Sequence, residues 1–174
     1  GAVCLRNVFD PEWLQSMERP ARRLLIDKED FGLLPNNPGR YMARRIPEFR
    51  RFVFGSPLGE AAAKAIGSST VRFFFDEIFA KKPQSTDKTI WHNDRMGWPV
   101  TSESTMVPSL WVPLTPITKS NCLEVIAGTQ FNDARYWLFS PNALKMIRPE
   151  DRLPHPDGEA MRADPAYAGR FLSW

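Results

Sequence analysis

The chain has 174 residues, of which 43% are hydrophobic and 25% charged, and its formal net charge is +3 at pH 7. This length suits one domain with a substantial core, and the mild positive charge suits an anionic small substrate without requiring nucleic acid. No apolar run approaches the roughly 20 residues that a membrane helix needs, so the sequence predicts a soluble, cytoplasmic protein that binds neither membrane nor nucleic acid.

Helix signals begin near the start of the chain. Asp10-Pro11-Glu12 supplies an N-cap, a proline at the first helical position and an acid in the first turn, which predicts a helix to about Ile26 with an interruption at Pro20. Ser56-Pro57 opens a second helix that ends at Gly67, and Ser140-Pro141 opens a short third helix.

Strand signals dominate the rest of the sequence. β-branched and aromatic runs predict strands at 2–8, 71–79, 89–94, 109–115 and 122–127, with the polar turn T-K-S-N before the last of them. Helices near the start and short strands later favour an α+β domain whose strands form a sandwich or barrel. Since no linker or repeat interrupts the chain, we predict a single domain over residues 1–174.

The strand at 89–94 reads T-I-W-H-N-D. In a strand, alternate side chains share a face, so His92 and Asp94 would converge while Asn93 points away. An imidazole and a carboxylate are two of the three ligands of a 2-His-1-carboxylate Fe(II) site. A half-buried strand histidine followed by an aspartate that caps a turn would read the same way, and the motif alone leaves both possibilities open.

The order of motifs around W-H-N-D is more specific. F-F-F-D-E-I-F-A-K-K-P precedes it, and R-M-G-W-P, S-L-W-V-P-L and C-L-E-V-I-A-G-T follow it. This order resembles the phytanoyl-CoA dioxygenase family of Fe(II)- and 2-oxoglutarate-dependent oxygenases. The resemblance implies a double-stranded β-helix (jelly-roll, cupin-like) core with flanking N-terminal helices. It also implies Fe(II), 2-oxoglutarate as cosubstrate, and hydroxylation of a small organic substrate by O₂ with release of succinate and CO₂.

The same resemblance implies roles for individual residues. His92 and Asp94 match the first two iron ligands and are the expected catalytic pair. Asn93 takes the place of the family's glutamine between them and is a candidate for cofactor binding, although strand alternation points it away from the metal. Trp111 matches a tryptophan that lies against 2-oxoglutarate. Arg40 matches a basic residue near the cosubstrate, although a solvated basic face would explain it equally well.

Two further positions bear on the substrates. Met96 and Trp98 follow the ligands directly and are candidates for substrate contact, or equally for a loop that covers the core. Glu77 stands where the family has Gln or Met near the cosubstrate. An acid there would repel a dicarboxylate unless it were protonated or paired.

The third ligand is the point of departure from the family. The one other histidine, His155, lies between prolines in L-P-H-P-D-G, which predicts a surface turn. We therefore expect the distal histidine, and the arginine that binds the far carboxylate of 2-oxoglutarate, to lie beyond Trp174. In this interpretation the chain is truncated at both ends and lacks its last strands, while His155 stays an alternative ligand.

Other classes of function remain open from the sequence. One is a non-catalytic β-sandwich binding module derived from such an oxygenase. Another is a zinc hydrolase, which would need a third ligand and an activated water but no oxygen. The expected partners are a small-molecule substrate and O₂, for a monomer or homodimer.

Overall fold

The computed structural model describes residues 1–28, 39–81, 84–86, 88–94, 106–131 and 157–173. Contacts divide the chain into two compact units. The helical unit comprises Leu5–Ser85 and Pro108–Pro116, and the motif unit comprises Gly1–Cys4, Thr86–Val107 and Ile117–Trp174.

The helical unit begins with α1 (Pro11–Leu25), which starts at the predicted proline with Glu12 in its first turn. The predicted interruption at Pro20 is wrong, because the helix continues through this residue. Proline removes one backbone donor from a helix interior. Pro20 is buried on the same side as Met17 and Leu24, so the packing of this face holds the helix together across the missing hydrogen bond.

Two further helices follow. α2 (Pro47–Gly55) was not predicted, although Pro47 at its first position and Glu48 in its first turn repeat the start signal of α1. The helix predicted after Ser56-Pro57 is confirmed as α3 (Leu58–Ile66), and it ends as predicted at Gly67, whose φ of 65° is the left-handed conformation that glycine adopts readily.

The core of the helical unit lies between α1, α2 and a short 3-10 helix over Met42–Arg44. Met42 and Ile46 are its most completely buried large side chains, each 1% exposed. Phe52 from α2 packs against Phe9 and Trp13, with ring centroids 5.1 and 6.3 Å apart. The buried members of this core are Met17, Ala21, Leu24, Met42, Ala43, Ile46, Phe49 and Phe52.

The predicted strands of this unit are not formed as such. In 71–79, pairing is limited to an isolated antiparallel bridge between Glu77 and Arg40, flanked by the bonds Tyr41 N–H to Asp76 O (2.8 Å) and Ile78 N–H to Gly39 O (2.7 Å). The segments 2–8 and 109–115 also lack regular strand structure. Aromatic and β-branched residues favour strands only where a neighbouring strand packs beside them. Within the described part of this unit, residues 39–41 provide such a neighbour for 76–78 only.

The motif unit contains a small antiparallel sheet. β1 (Glu124–Ile126) pairs with β2 (Phe171–Ser173) in the register Glu124↔Ser173 and Ile126↔Phe171. β1 confirms the centre of the strand predicted at 122–127, and it follows the predicted polar turn, in which Asn121 Oδ1 accepts from Thr118 N–H at 2.6 Å. Ahead of β2 lie α4 (Gly158–Ala163) and a 3-10 helix (Pro165–Tyr167), and another 3-10 helix (Thr129–Phe131) follows β1.

The strand predicted at 89–94 is wrong, because residues 88–93 have no regular secondary structure. The helix predicted after Ser140-Pro141 lies outside the described residues. The described part of the chain therefore combines helices with a two-stranded antiparallel sheet, while the double-stranded β-helix and the single domain stay predictions. None of the helices described is both long and apolar enough to cross a membrane.

Candidate metal centre

His92 and Asp94 meet at the surface of the motif unit. His92 Nε2 lies 3.2 Å from Asp94 Oδ1, and the two side chains are 32% and 47% exposed. Residues 88–93 have no regular secondary structure, so the meeting of the two side chains does not depend on strand pairing. The pair presents one nitrogen and one carboxylate oxygen to the same point.

The other ring nitrogen of His92 fixes the orientation of the imidazole. His92 Nδ1 lies 2.7 Å from the carbonyl oxygen of Ile90. Because a carbonyl oxygen only accepts hydrogen bonds, Nδ1 carries the hydrogen and donates it. In the neutral ring the lone pair therefore sits on Nε2, the nitrogen that faces Asp94. A backbone carbonyl that holds the far nitrogen in this way is the usual companion of a metal-binding histidine.

The electrostatics of the pair agree with this geometry. The hydrogen bond to Asp94 raises the pKa of His92, partial burial opposes that rise, and the bond to the Ile90 carbonyl supports it. Asp94 therefore favours protonation of the ring at Nε2. A divalent cation would compete with a proton for the same two atoms. The donor set of one imidazole and one carboxylate thus fits part of an Fe(II) site.

The remaining ligand is not found in the described residues. Within those ranges, no three His, Cys, Asp or Glu side chains are grouped so that they could hold a metal ion. His155, the alternative ligand, lies outside the described residues, as do the substrate candidates Met96 and Trp98. Asn93 is exposed beside His92.

In the helical unit, Arg40 is engaged by Glu77. Arg40 Nε lies 2.8 Å from Glu77 Oε1, and the two side chains are 44% and 19% exposed. The guanidinium also lies over Phe75, with Cζ 5.8 Å from the ring centroid. Glu77 is thus paired, which is one of the two conditions under which an acid is tolerated beside a dicarboxylate. Trp111, in the same unit, is 45% exposed.

Asp76, next to Glu77, was not singled out by the sequence analysis. Its Oδ2 accepts from Ala43 N–H at 2.9 Å, while Oδ1 is buried without a hydrogen-bond partner among the residues described. Burial raises the pKa of this carboxyl group. The sequence feature that could have identified Asp76 is an acidic residue within the aromatic run F-F-F-D-E-I-F. The contact ties this segment to the start of the 3-10 helix at Met42–Arg44.

Comparison with known proteins places this geometry in context. The family model of phytanoyl-CoA dioxygenase (PhyH) matches residues 1–140, a range that contains His92, Asp94, Trp111 and Arg40. No curated protein and no solved structure gives a significant match. The matched range covers most of the chain, and the motif order and the His92–Asp94 pair agree with it. The chain therefore belongs to the phytanoyl-CoA dioxygenase family.

Proposed function

We propose that this protein is an Fe(II)- and 2-oxoglutarate-dependent dioxygenase that hydroxylates a small organic substrate and releases succinate and CO₂. Dependence on Fe(II) and 2-oxoglutarate is general in the family to which the chain belongs. The observation that carries the proposal is the pair formed by His92 Nε2 and Asp94 Oδ1.

In this proposal His92 and Asp94 hold Fe(II) through those two atoms. Two protein ligands on one side leave positions of the metal open for small molecules. The bound iron supplies the oxidising chemistry, and the protein supplies orientation. The Ile90 carbonyl holds Nδ1 of His92, which keeps Nε2 turned toward the metal.

The remaining contacts in the proposal come from residues that the sequence singled out. Arg40, Trp111 and Asn93 are the candidates for contact with 2-oxoglutarate, and Met96 and Trp98 are the candidates for contact with the substrate. With Nε engaged by Glu77, Arg40 still has its two terminal nitrogens as possible donors to a carboxylate. His155 is the candidate for a third ligand among the histidines of the sequence.

Succinate formation tests the proposal. Protein loaded with Fe(II) under anaerobic conditions is mixed with 2-oxoglutarate and oxygenated buffer, and succinate is measured. We expect His92→Ala and Asp94→Ala to abolish the reaction. Asp10→Ala is the matched control, because Asp10 is exposed and its side chain makes no capping bond at α1. His155→Ala tests the third ligand, since it abolishes the reaction only if His155 binds the iron.

Other outcomes assign other functions. Full activity of either ligand variant would refute the site. A protein that binds Fe(II) but forms no succinate would be the non-catalytic binding module. Hydrolytic activity with zinc and without oxygen would indicate the hydrolase.

A further inference from the structure

The residue directly before His92 is held by a segment far along the chain. The Trp91 indole lies against the backbone of Gly158, so closely that a Cβ built on Gly158 would overlap the ring. Its ring also meets the edge of Phe171, with centroids 5.8 Å apart and planes at 89°. Gly158 and Phe171 both lie beyond the range 1–140 that the family model matches.

Trp91 is the anchor of the segment that carries the metal-binding pair. Trp91 is less exposed than the other residues of 88–94. The segment has no regular secondary structure over 88–93. The position of the Trp91 indole therefore helps to set the position of the segment, and His92 is the next residue along the backbone.

Phe171 is itself held by further contacts. The Arg162 guanidinium lies over its ring, with Cζ 4.1 Å from the centroid, and Arg162 Nη2 lies 3.0 Å from both carboxylate oxygens of Glu124. Phe171 also pairs with Ile126 in the sheet. Contacts of an aromatic ring with a cation and with a second ring both stabilise its position. Together α4, β1 and β2 support the Trp91 ring.

We propose that Gly158 and Phe171 are positioning residues for the His92–Asp94 pair. They hold the indole of Trp91, and Trp91 fixes the backbone from which the two ligands project. The inference rests on the proposed metal-binding function and adds the support that the pair requires. Residues that orient metal ligands typically change metal affinity by about 10- to 100-fold when they are replaced.

The test combines metal affinity with a direct probe of Trp91. Co(II) alone is titrated by calorimetry into the wild-type protein, Phe171→Ala, Gly158→Ala and Phe171→Tyr. The same proteins are labelled with fluorotryptophan, and the ¹⁹F resonance of Trp91 is assigned by its loss in Trp91→Phe. Tyr167→Ala is the matched control, because this aromatic residue lies in the same segment with its ring against Arg170.

We expect Phe171→Ala and Gly158→Ala to weaken Co(II) binding by about 10- to 100-fold and to shift the Trp91 resonance. Phe171→Tyr, which keeps the ring, and Tyr167→Ala should retain wild-type affinity and the wild-type resonance. Unchanged Co(II) affinity in Phe171→Ala, or an equal loss of affinity in Tyr167→Ala, would overturn this inference and leave the proposed function standing. A wild-type protein that binds no Co(II) would overturn the proposed function and this inference with it.

Discussion

Replacement of Phe52 by alanine should be among the most damaging single changes in the helical unit. Phe52 is 5% exposed, and its ring packs against Phe9 and Trp13. Truncation of a buried phenylalanine typically costs about 3–5 kcal/mol, which includes the cavity left behind. Each aromatic contact that is lost accounts for about 0.5–1.5 kcal/mol of such a cost. We therefore expect the free energy of unfolding to fall by about 3–5 kcal/mol.

Phe54 is the matched control in the same helix. It is 60% exposed, so more than half of its side chain stays in water. Its truncation should cost about 1 kcal/mol. Urea unfolding followed by far-UV circular dichroism measures both variants, and a common slope with denaturant shows that the comparison is valid. Equal losses for Phe52→Ala and Phe54→Ala would refute the described packing of α1 against α2.

Further predictions concern the charged groups. In the metal-free protein, Asp94→Asn should lower the pKa of His92, measured from its imidazole resonances by NMR; an unchanged pKa would contradict the pairing. Because the pKa of His92 is raised above 6.5, the pair's stabilisation is fully present below that pH and is lost as pH rises through the folded-state pKa. Burial raises the pKa of the Asp76 carboxyl group above 3.8, so the folded protein binds this proton more tightly than the unfolded chain does. The free energy of unfolding therefore falls as pH rises from 3.8 to the folded-state pKa of Asp76. In urea unfolding across this pH range, the free energy of unfolding should decline less in Asp76→Asn than in the wild-type protein. An equal decline in both proteins would show that Asp76 does not cause it. Glu77→Gln should cost only about 0.2–1 kcal/mol, since its partner Arg40 is partly exposed; a loss of several kcal/mol in urea unfolding would contradict this.

Local signals in the sequence predicted the elements that depend on local chemistry. A proline and an acid in the first turn identified α1, and a glycine in the left-handed conformation ends α3. The turn before β1 follows from the hydrogen bonds of Thr118 and Asn121 with each other, which need no distant partner. The meeting of His92 with Asp94 is also local, because the two residues are two positions apart and make contact without a paired strand.

The features that the sequence did not predict depend on distant residues. The run at 71–79 has strong β-propensity but a neighbouring segment only at Glu77, so its aromatic residues do not form the predicted strand. Pro20 continues α1 because the buried face of the helix offsets a local defect. The support of Trp91 by Gly158 and Phe171 joins residues that are distant in the sequence, and no spacing rule indicates such a contact.

The proposed function requires that His92 and Asp94 bind the iron. Anaerobic calorimetry of Fe(II) with the wild-type protein, His92→Ala, Asp94→Ala and the control Asp10→Ala measures this directly, without dependence on substrate identity. We predict one site in the wild-type protein and in Asp10→Ala, and loss of that site in both ligand variants. Fe(II) binding to His92→Ala or Asp94→Ala with wild-type affinity and stoichiometry would show that the replaced residue is not a metal ligand.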